Sequence, residues 1–157
     1  MKIFLSARYS KRDELRAIRN ALAAEGYTIC SRWLDTEWEL NTNNRSSAAP
    51  PEYREKWAES DLEDVTSCDV FVAFTEESRS NSRGGRHVEL GAALILKKRI
   101  IVVGPLENIF HHHPDVSTIL DRPEDYSPPG YPVQAWVDYF IRCGLKGMGP
   151  NYVPDRV

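Results

Sequence analysis

The sequence predicts an α/β protein with a doubly wound parallel sheet, and three observations lead to that fold class. Short apolar runs alternate along the chain with segments whose apolar residues recur at helical spacing. Two of the runs, 69–74 and 100–103, are almost continuously apolar, as is typical of central strands that are covered on both faces. The chain has 157 residues, a length that fits one domain. Strands that alternate with helices form parallel sheets with right-handed crossovers.

The first quarter of the chain supplies a strand, a helix and a second strand. Residues 3–7 are too few and too uniformly apolar for a helix, so we expect a strand. Apolar residues at helical spacing predict a helix over 12–25, with Gly26 where a helix-ending glycine belongs. The β-forming residues of 27–30 then predict the second strand.

The middle of the chain supplies a long loop, two helices and the best strand. Residues 34–50 are rich in Asn, Ser and Pro and predict a loop, and loops of this length are usually functional or disordered. Pro at position 51 favours the first turn of a helix over 51–67. The central strand 69–74 follows, and then the polar loop 75–85 leads into a helix over 86–97.

The last third completes the sheet. Residues 100–103 predict a fourth strand, residues near 118–120 a short fifth strand, and 133–142 a terminal helix. We therefore expect a five-stranded sheet with helices on both faces, flavodoxin-like or Rossmann-like, in a single domain over 1–146. A Gly- and Pro-rich tail, 147–157, follows it.

Composition argues against several classes of protein. The net charge is −3, from 23 acidic and 20 basic residues, so no overall positive field favours nucleic acid or an anionic membrane. Three cysteines without a C-x-x-C pair argue against a disulfide framework and a zinc ribbon. No apolar run reaches the roughly 18 residues of a membrane span. We expect a soluble, cytoplasmic protein without a cofactor.

Glu89 is the first candidate for chemistry. It lies about one turn into the helix that follows Gly84 and Gly85, and these glycines allow a ligand to approach the backbone closely. The positive helix end favours an ionised carboxylate, as a nucleophile requires. The alternative is that Glu89 is an ordinary acid near a helix start, where acidic residues are common for the same reason.

Asp61 is the second candidate. It falls in the same four-residue series as Tyr53, Trp57 and Val65, which predicts a place on the packed stripe of its helix. Burial raises the pKa of a carboxyl group, so Asp61 is a candidate proton donor near neutral pH. The alternative places Asp61 at the edge of the stripe, in water beside Asp64.

Binding residues are expected where the strands end, because ligands of parallel sheets bind beyond the carboxyl ends of the strands. Hydroxyl and guanidinium groups there suit sugar or phosphate. The candidates are Ser6, Arg8, Tyr9, Ser78, Arg83 and Arg86, together with Gly84 and Gly85. The three consecutive histidines 111–113 are not expected to hold a metal, since neighbouring side chains diverge.

Three segments resemble the nucleoside 2-deoxyribosyltransferase superfamily, including its 2′-deoxynucleoside 5′-phosphate N-hydrolase branch. The segment 87–93, His-Val-Glu-Leu-Gly-Ala-Ala, is similar to the family's aromatic-Glu-Leu-Gly-x-Ala segment. Glu59-Ser60-Asp61-Leu62 and the strand 68–73 resemble its acid-bearing helix and following strand, and 3–8 resembles the turn after its first strand. His87 and the long loops 34–50 and 75–85 depart from the family pattern.

The resemblance implies cleavage of the N-glycosidic bond of a nucleoside or its 5′-monophosphate, by hydrolysis or by transfer to another base. Glu89 would attack the anomeric carbon, Asp61 would assist the leaving base, and Tyr9 or Ser6 would orient the substrate. A homo-oligomer is also implied. Two alternatives stay open: an NAD glycohydrolase of the TIR type, and a non-catalytic nucleotide-binding or sensor module.

Overall fold

The computed structural model describes residues 1–35, 50–76, 84–119 and 133–151, which form one α/β domain around a five-stranded sheet. All strand pairs are parallel, and the strand order is β2-β1-β3-β4-β5. The strands are β1 (Lys2–Ser6), β2 (Thr28–Ile29), β3 (Val70–Phe74), β4 (Arg99–Val103) and β5 (Val116–Ile119). The predicted flavodoxin-like, doubly wound architecture is confirmed.

In the part of the chain that the structure describes, four α-helices cover the two faces of the sheet. They are α1 (Arg12–Ala24), α2 (Pro51–Ser67), α3 (Gly85–Ile95) and α4 (Val133–Cys143). Alternate residues of β1 point to opposite faces, so Ile3 and Leu5 pack with α1 and α4 while Phe4 packs with α2 and α3. Both faces of β3 and β4 are buried, which explains why their sequences are apolar without alternation.

The observed bounds differ from the predicted ones mainly at the edges of the sheet. Strand β2 has only two residues, and β5 begins at Val116, earlier than the predicted 118–120. Edge strands pair on one side only, so they carry a weaker apolar pattern than β3 and β4. Part of the predicted loop is a 3₁₀ helix, Arg32–Asp35, and residues 36–49 lie outside the described residues.

The site is positioned by the reversal of strand order between β1 and β3. Successive strands are added on one side of β1 first and then on the other, so β1 and β3 flank the switch point at which such sheets bind ligands. Ser6 is paired with Ala73, so the carboxyl ends of the two strands lie level. Helices α2 and α3 pack against each other over this end of the sheet.

No helix within the described ranges is both long and apolar enough to cross a membrane.

Candidate active site

Glu89 is held at the end of β1 by a direct hydrogen bond. The Ser6 hydroxyl donates to Glu89 Oε2 at 2.5 Å, joining the last residue of β1 to α3. Helix α3 begins after Gly84, whose φ of +90° lies in the left-handed region that favours glycine. The Gly84 carbonyl accepts hydrogen bonds from the amides of His87 and Val88, at 2.9 and 3.2 Å, which close the first turn.

Three influences act on the pKa of Glu89, and they do not act in the same direction. Burial is the largest influence and holds the pKa of Glu89 above its ordinary value, while the Ser6 hydrogen bond and the positive charge of Arg86 oppose that increase. The expectation that the helix terminus keeps Glu89 ionised therefore needs correction. Glu89 is the fifth residue of α3, beyond the first turn in which the helix dipole acts, and specific donors stabilise its charge instead.

Asp61 lies on α2 and close enough to Glu89 to be repelled by it. Burial, together with the charges of Glu89 and Asp64, raises the pKa of Asp61 to about 7 against an opposing effect of Arg32. The predicted increase in pKa is thus confirmed. The two carboxyl groups were 28 residues apart in sequence, and the packing of α2 on α3 brings them together.

The reason given for the burial of Asp61 was partly wrong. Val65 is fully buried, but Tyr53 is 44% exposed and Trp57 is only half-buried, so the stripe is covered over its last turns alone. Asp64 is not the solvated neighbour that the alternative required. Its carboxylate is buried and accepts hydrogen bonds from the backbone amide and Nε of Arg32, at 2.9 and 2.7 Å.

A groove of about 730 Å³ runs between residues 32–35 and α2, and Asp61 lies in its wall. Its aromatic walls come from Trp33 on one side and Tyr53 and Trp57 on the other. The Trp33 indole donates to the Leu5 carbonyl at 2.8 Å, which fixes this ring against the end of β1. Of the two carboxyl groups, Asp61 is therefore the one that borders the groove.

Sequence reasoning missed Trp33 and Trp57 as residues of the site. The available signal was the four-residue spacing from Trp57 to Asp61, which places the two side chains on one face of α2. From the sequence alone, the same spacing indicates core packing. Trp33 carried no sequence signal, because its approach to α2 depends on the fold.

Three other predicted residues have partners within the protein. Arg8 forms an ion pair with Glu76 at 2.7 Å, and the Tyr9 hydroxyl accepts a hydrogen bond from Arg12. Arg86 is buried and forms an ion pair with Glu107, so it is not the open phosphate donor that the sequence suggested. Gly85 is exposed beside Gly84 and is the first residue of α3. Ser78 and Arg83 lie outside the described residues.

The histidine run separates in space, as the divergence of neighbouring side chains requires. His111 is buried, whereas His112 and His113 are exposed. Burial, with the charges of His87, Arg86 and His112, lowers the pKa of His111 to about 4, so its imidazole is neutral at physiological pH. Among the described residues there is no group of three or more His, Cys, Asp or Glu side chains able to hold a metal ion.

The fold and site define a flavodoxin-like α/β protein with a pair of carboxyl groups at the strand-order switch. The fold is similar to the solved structure of a 2-deoxyribosyltransferase from Bacillus psychrosaccharolyticus, with a TM-score of 0.51 and 22% identity. This match covers 69% of this chain and 76% of the other. It confirms the fold that the resemblance to nucleoside 2-deoxyribosyltransferases implied.

A second solved structure, the Clostridium botulinum CMP N-glycosidase BcmB, is also similar. Its TM-score is 0.48 with 22% identity, covering 76% of this chain and 88% of the other. No protein-family model matches the sequence, and no curated protein matches it significantly.

Proposed function

We propose that this protein cleaves the N-glycosidic bond of a (2′-deoxy)nucleoside or its 5′-monophosphate, by hydrolysis or by transfer to another base. One observation carries the proposal: burial raises the pKa of two neighbouring carboxyl groups, but Glu89 has a hydrogen-bond donor and a cation that lower its pKa, whereas Asp61 is repelled by two other acids. Ser6 and Arg86 stabilise the charge of Glu89, whereas burial and the charge of Glu89 keep Asp61 protonated up to about pH 7. Such a division assigns the nucleophile to Glu89 and the proton donor to Asp61.

The reaction follows the two-step course of retaining glycosidases. A Glu89 carboxylate oxygen bonds to the anomeric carbon while the carbon–nitrogen bond breaks, and its electron pair leaves with the base. Asp61 donates a proton to the departing base. In the second step water, or the nitrogen of a second base, attacks the anomeric carbon, Asp61 accepts the released proton, and Glu89 leaves as a carboxylate.

The aromatic groove supplies the place for the base. A proton donor must contact both the leaving group and the bond that breaks, and Asp61 lies in the groove wall close to Glu89. A flat base that extends from this point lies between Trp33 and Trp57, since Trp57 is one helical turn before Asp61. The sugar then occupies the space between Asp61 and Glu89, beside Ser6.

A panel of substrates tests the proposal. The protein is incubated with nucleosides and 5′-monophosphates of the common bases, with and without an acceptor base, and free base is followed by chromatography. Base release in at least one arm, abolished in Glu89→Gln, is the expected result. No release from any substrate would overturn it, and nicotinamide release from NAD alone would instead favour the TIR-type activity. Tight nucleotide binding without release would favour a sensor.

The same panel decides whether a 5′-phosphate is required and whether an acceptor base increases turnover. The homo-oligomer implied by the resemblance stays a prediction, which sedimentation of the purified chain would test. The cytoplasmic location likewise stays a prediction.

A further inference from the structure

Arg86 and Glu107 form a buried ion pair one helical turn from Glu89. Arg86 Nη2 lies 2.8 Å from Glu107 Oε2, and the two side chains are 6% and 8% exposed. Among the ion pairs of the described residues, no other has both partners less than a tenth exposed. A buried pair loses solvation on both sides and is weak evidence for a stabilising role, so its position calls for another explanation.

The position of the pair relates it to the site. Arg86 precedes Glu89 by three residues on α3, a spacing that places the two side chains on neighbouring parts of one helix face. Glu107 comes from the segment that follows β4 and lies within ion-pair distance of Arg86. The charge of Arg86 thus acts on two carboxylates, and of these two Glu107 forms an ion pair with it.

The segment that carries Glu107 is itself fixed. The Glu107 amide donates to His111 Nδ1 at 3.2 Å, and Asn108 Nδ2 lies 3.1 Å from His111 Nε2 and 3.3 Å from His87 Nδ1. Because His111 is buried and neutral, it adds no second positive charge beside Arg86. Among the described residues, the groups that act on the charge of Glu89 are Ser6, Arg86 and Asp61, and Arg86 is the cation of this set.

We propose that Arg86 and Glu107 are a positioning pair that sets the charge state of Glu89 and, through it, the acidic limit of the reaction. The effect of the pair on turnover rests on the proposed function. Its effect on the charge state of Glu89 is a property of the folded protein and needs no substrate. Arg86 stabilises the Glu89 carboxylate, and Glu107 offsets part of that effect while compensating the buried guanidinium. Neither residue needs to contact the substrate, so both act through Glu89.

The proposal predicts that two substitutions act in opposite directions. In Glu107→Gln the negative charge that offsets part of the effect of Arg86 is removed, so Glu89 should titrate at lower pH than in the wild type. In Arg86→Met the stabilising cation is absent, so Glu89 should titrate at higher pH. The double variant Arg86→Met/Glu107→Leu removes both buried charges, avoids an unpaired one, and should also titrate at higher pH.

The experiment follows the Glu89 carboxyl carbon by NMR across a pH titration of ¹³C-glutamate-labelled protein, with the resonance assigned by its loss in Glu89→Gln. The control is Asp115→Asn, which removes the exposed ion pair with Lys97 on the same side of the fold and should leave the titration unchanged. Where base release is measurable, the acidic limb of kcat/KM should move in the same direction as the NMR titration in each variant.

A purely structural pair would lower stability without moving the titration in opposite directions. The proposal would be overturned if the pH at which Glu89 titrates moved in the same direction in both single variants. It would also be overturned if that pH were unchanged in folded Glu107→Gln and in the folded double variant. Because the NMR titration needs no turnover, it tests this inference even if no substrate is cleaved. Conversely, if base is released but the titration of Glu89 is the same in the variants as in the wild type, the positioning role of the pair is rejected and the proposed function is retained.

Discussion

The α3 side and the α2 side of the site hold one carboxyl group each, in contrasting surroundings. Glu89, on α3, accepts a hydrogen bond from Ser6 and lies near the cation Arg86. Asp61, on α2, borders an open groove and is surrounded mainly by other acids, with Arg32 already engaged by Asp64. The contrast teaches that burial raises the pKa of both groups, and that the neighbouring hydroxyl and cation oppose this effect at Glu89 while neighbouring acids add to it at Asp61.

The largest expected effect comes from abolishing the charged member of the pair. Glu89→Gln keeps the shape of the side chain but makes its oxygen a poor nucleophile. Base release should fall by about 10⁴-fold or more, judged from the removal of nucleophiles in other enzymes. Substrate binding, followed by calorimetry, should persist.

A slowed substrate gives an independent check on the same residue. A 2-fluoro-2-deoxyribosyl nucleoside should leave one sugar mass on the wild-type peptide that contains Glu89, because the fluorine slows hydrolysis of the glycosyl-enzyme. An unmodified peptide, together with a Gln variant that keeps most of its activity, would show that Glu89 is only an acid near a helix start.

Asp61→Asn removes the proton donor and should have the next largest effect. We expect base release to slow by about 10²- to 10⁴-fold, the usual contribution of general acid catalysis. Since Asp61 titrates at about 7, the wild-type rate should decline above that pH, and the decline should be absent from the residual activity of the variant. If the variant kept the wild-type rate from pH 5 to 8, Asp61 would be a residue of the groove wall and not the proton donor.

The groove offers a smaller and more selective effect. Trp57→Ala should weaken binding of substrate and of free base by about 5- to 150-fold, the range that corresponds to the 1–3 kcal/mol of one base–aromatic stack. Leu62→Ala is the matched control, since Leu62 is an exposed apolar residue of α2 that is absent from the groove lining. Equal affinities for the wild type and Trp57→Ala, measured by calorimetry, would place the base elsewhere.

The smallest effect concerns stability. The pKa of Asp61 is about 7 in the folded chain against 3.8 for an ordinary aspartate, so the folded state binds its proton more tightly. The contribution of Asp61 to the free energy of unfolding therefore declines as pH rises from about 4 to 7 and stays low above that. Asp61→Asn should raise Tm relative to the wild type more at pH 8 than at pH 4. A difference that is the same at both values would contradict the burial of this carboxyl group.

The sequence predicted the sheet because its signals are local, and local signals also made both carboxylates candidates. The apolar runs of β3 and β4 record burial on both faces, and Glu89 follows a glycine pair at a helix start. The Arg86–Glu107 pair and the groove between Trp33 and Trp57 were not predictable in the same way. Their partners are separated by more than twenty residues, and only the packing of the segments after β2 and β4 against α2 and α3 joins them. Helical spacing likewise indicated an apolar face on α2, but it does not show how far along the helix that face is buried. The exposure of Tyr53 was therefore not predicted.

Gly84, just before α3, has a left-handed backbone conformation, and the placement of Glu89 depends on it. A β-carbon added at this position would meet no atom within 4 Å, so a side chain has room there. The φ of +90° nevertheless disfavours nearly every L-residue. A D-residue has the mirror-image backbone preference and adopts a positive φ readily. In a chemically synthesised chain, D-alanine at position 84 would therefore preserve the start of α3 and limit its fraying, whereas L-alanine would distort it. A single stereocentre thus separates a chain that presents its carboxylate to the end of β1 from one that does not.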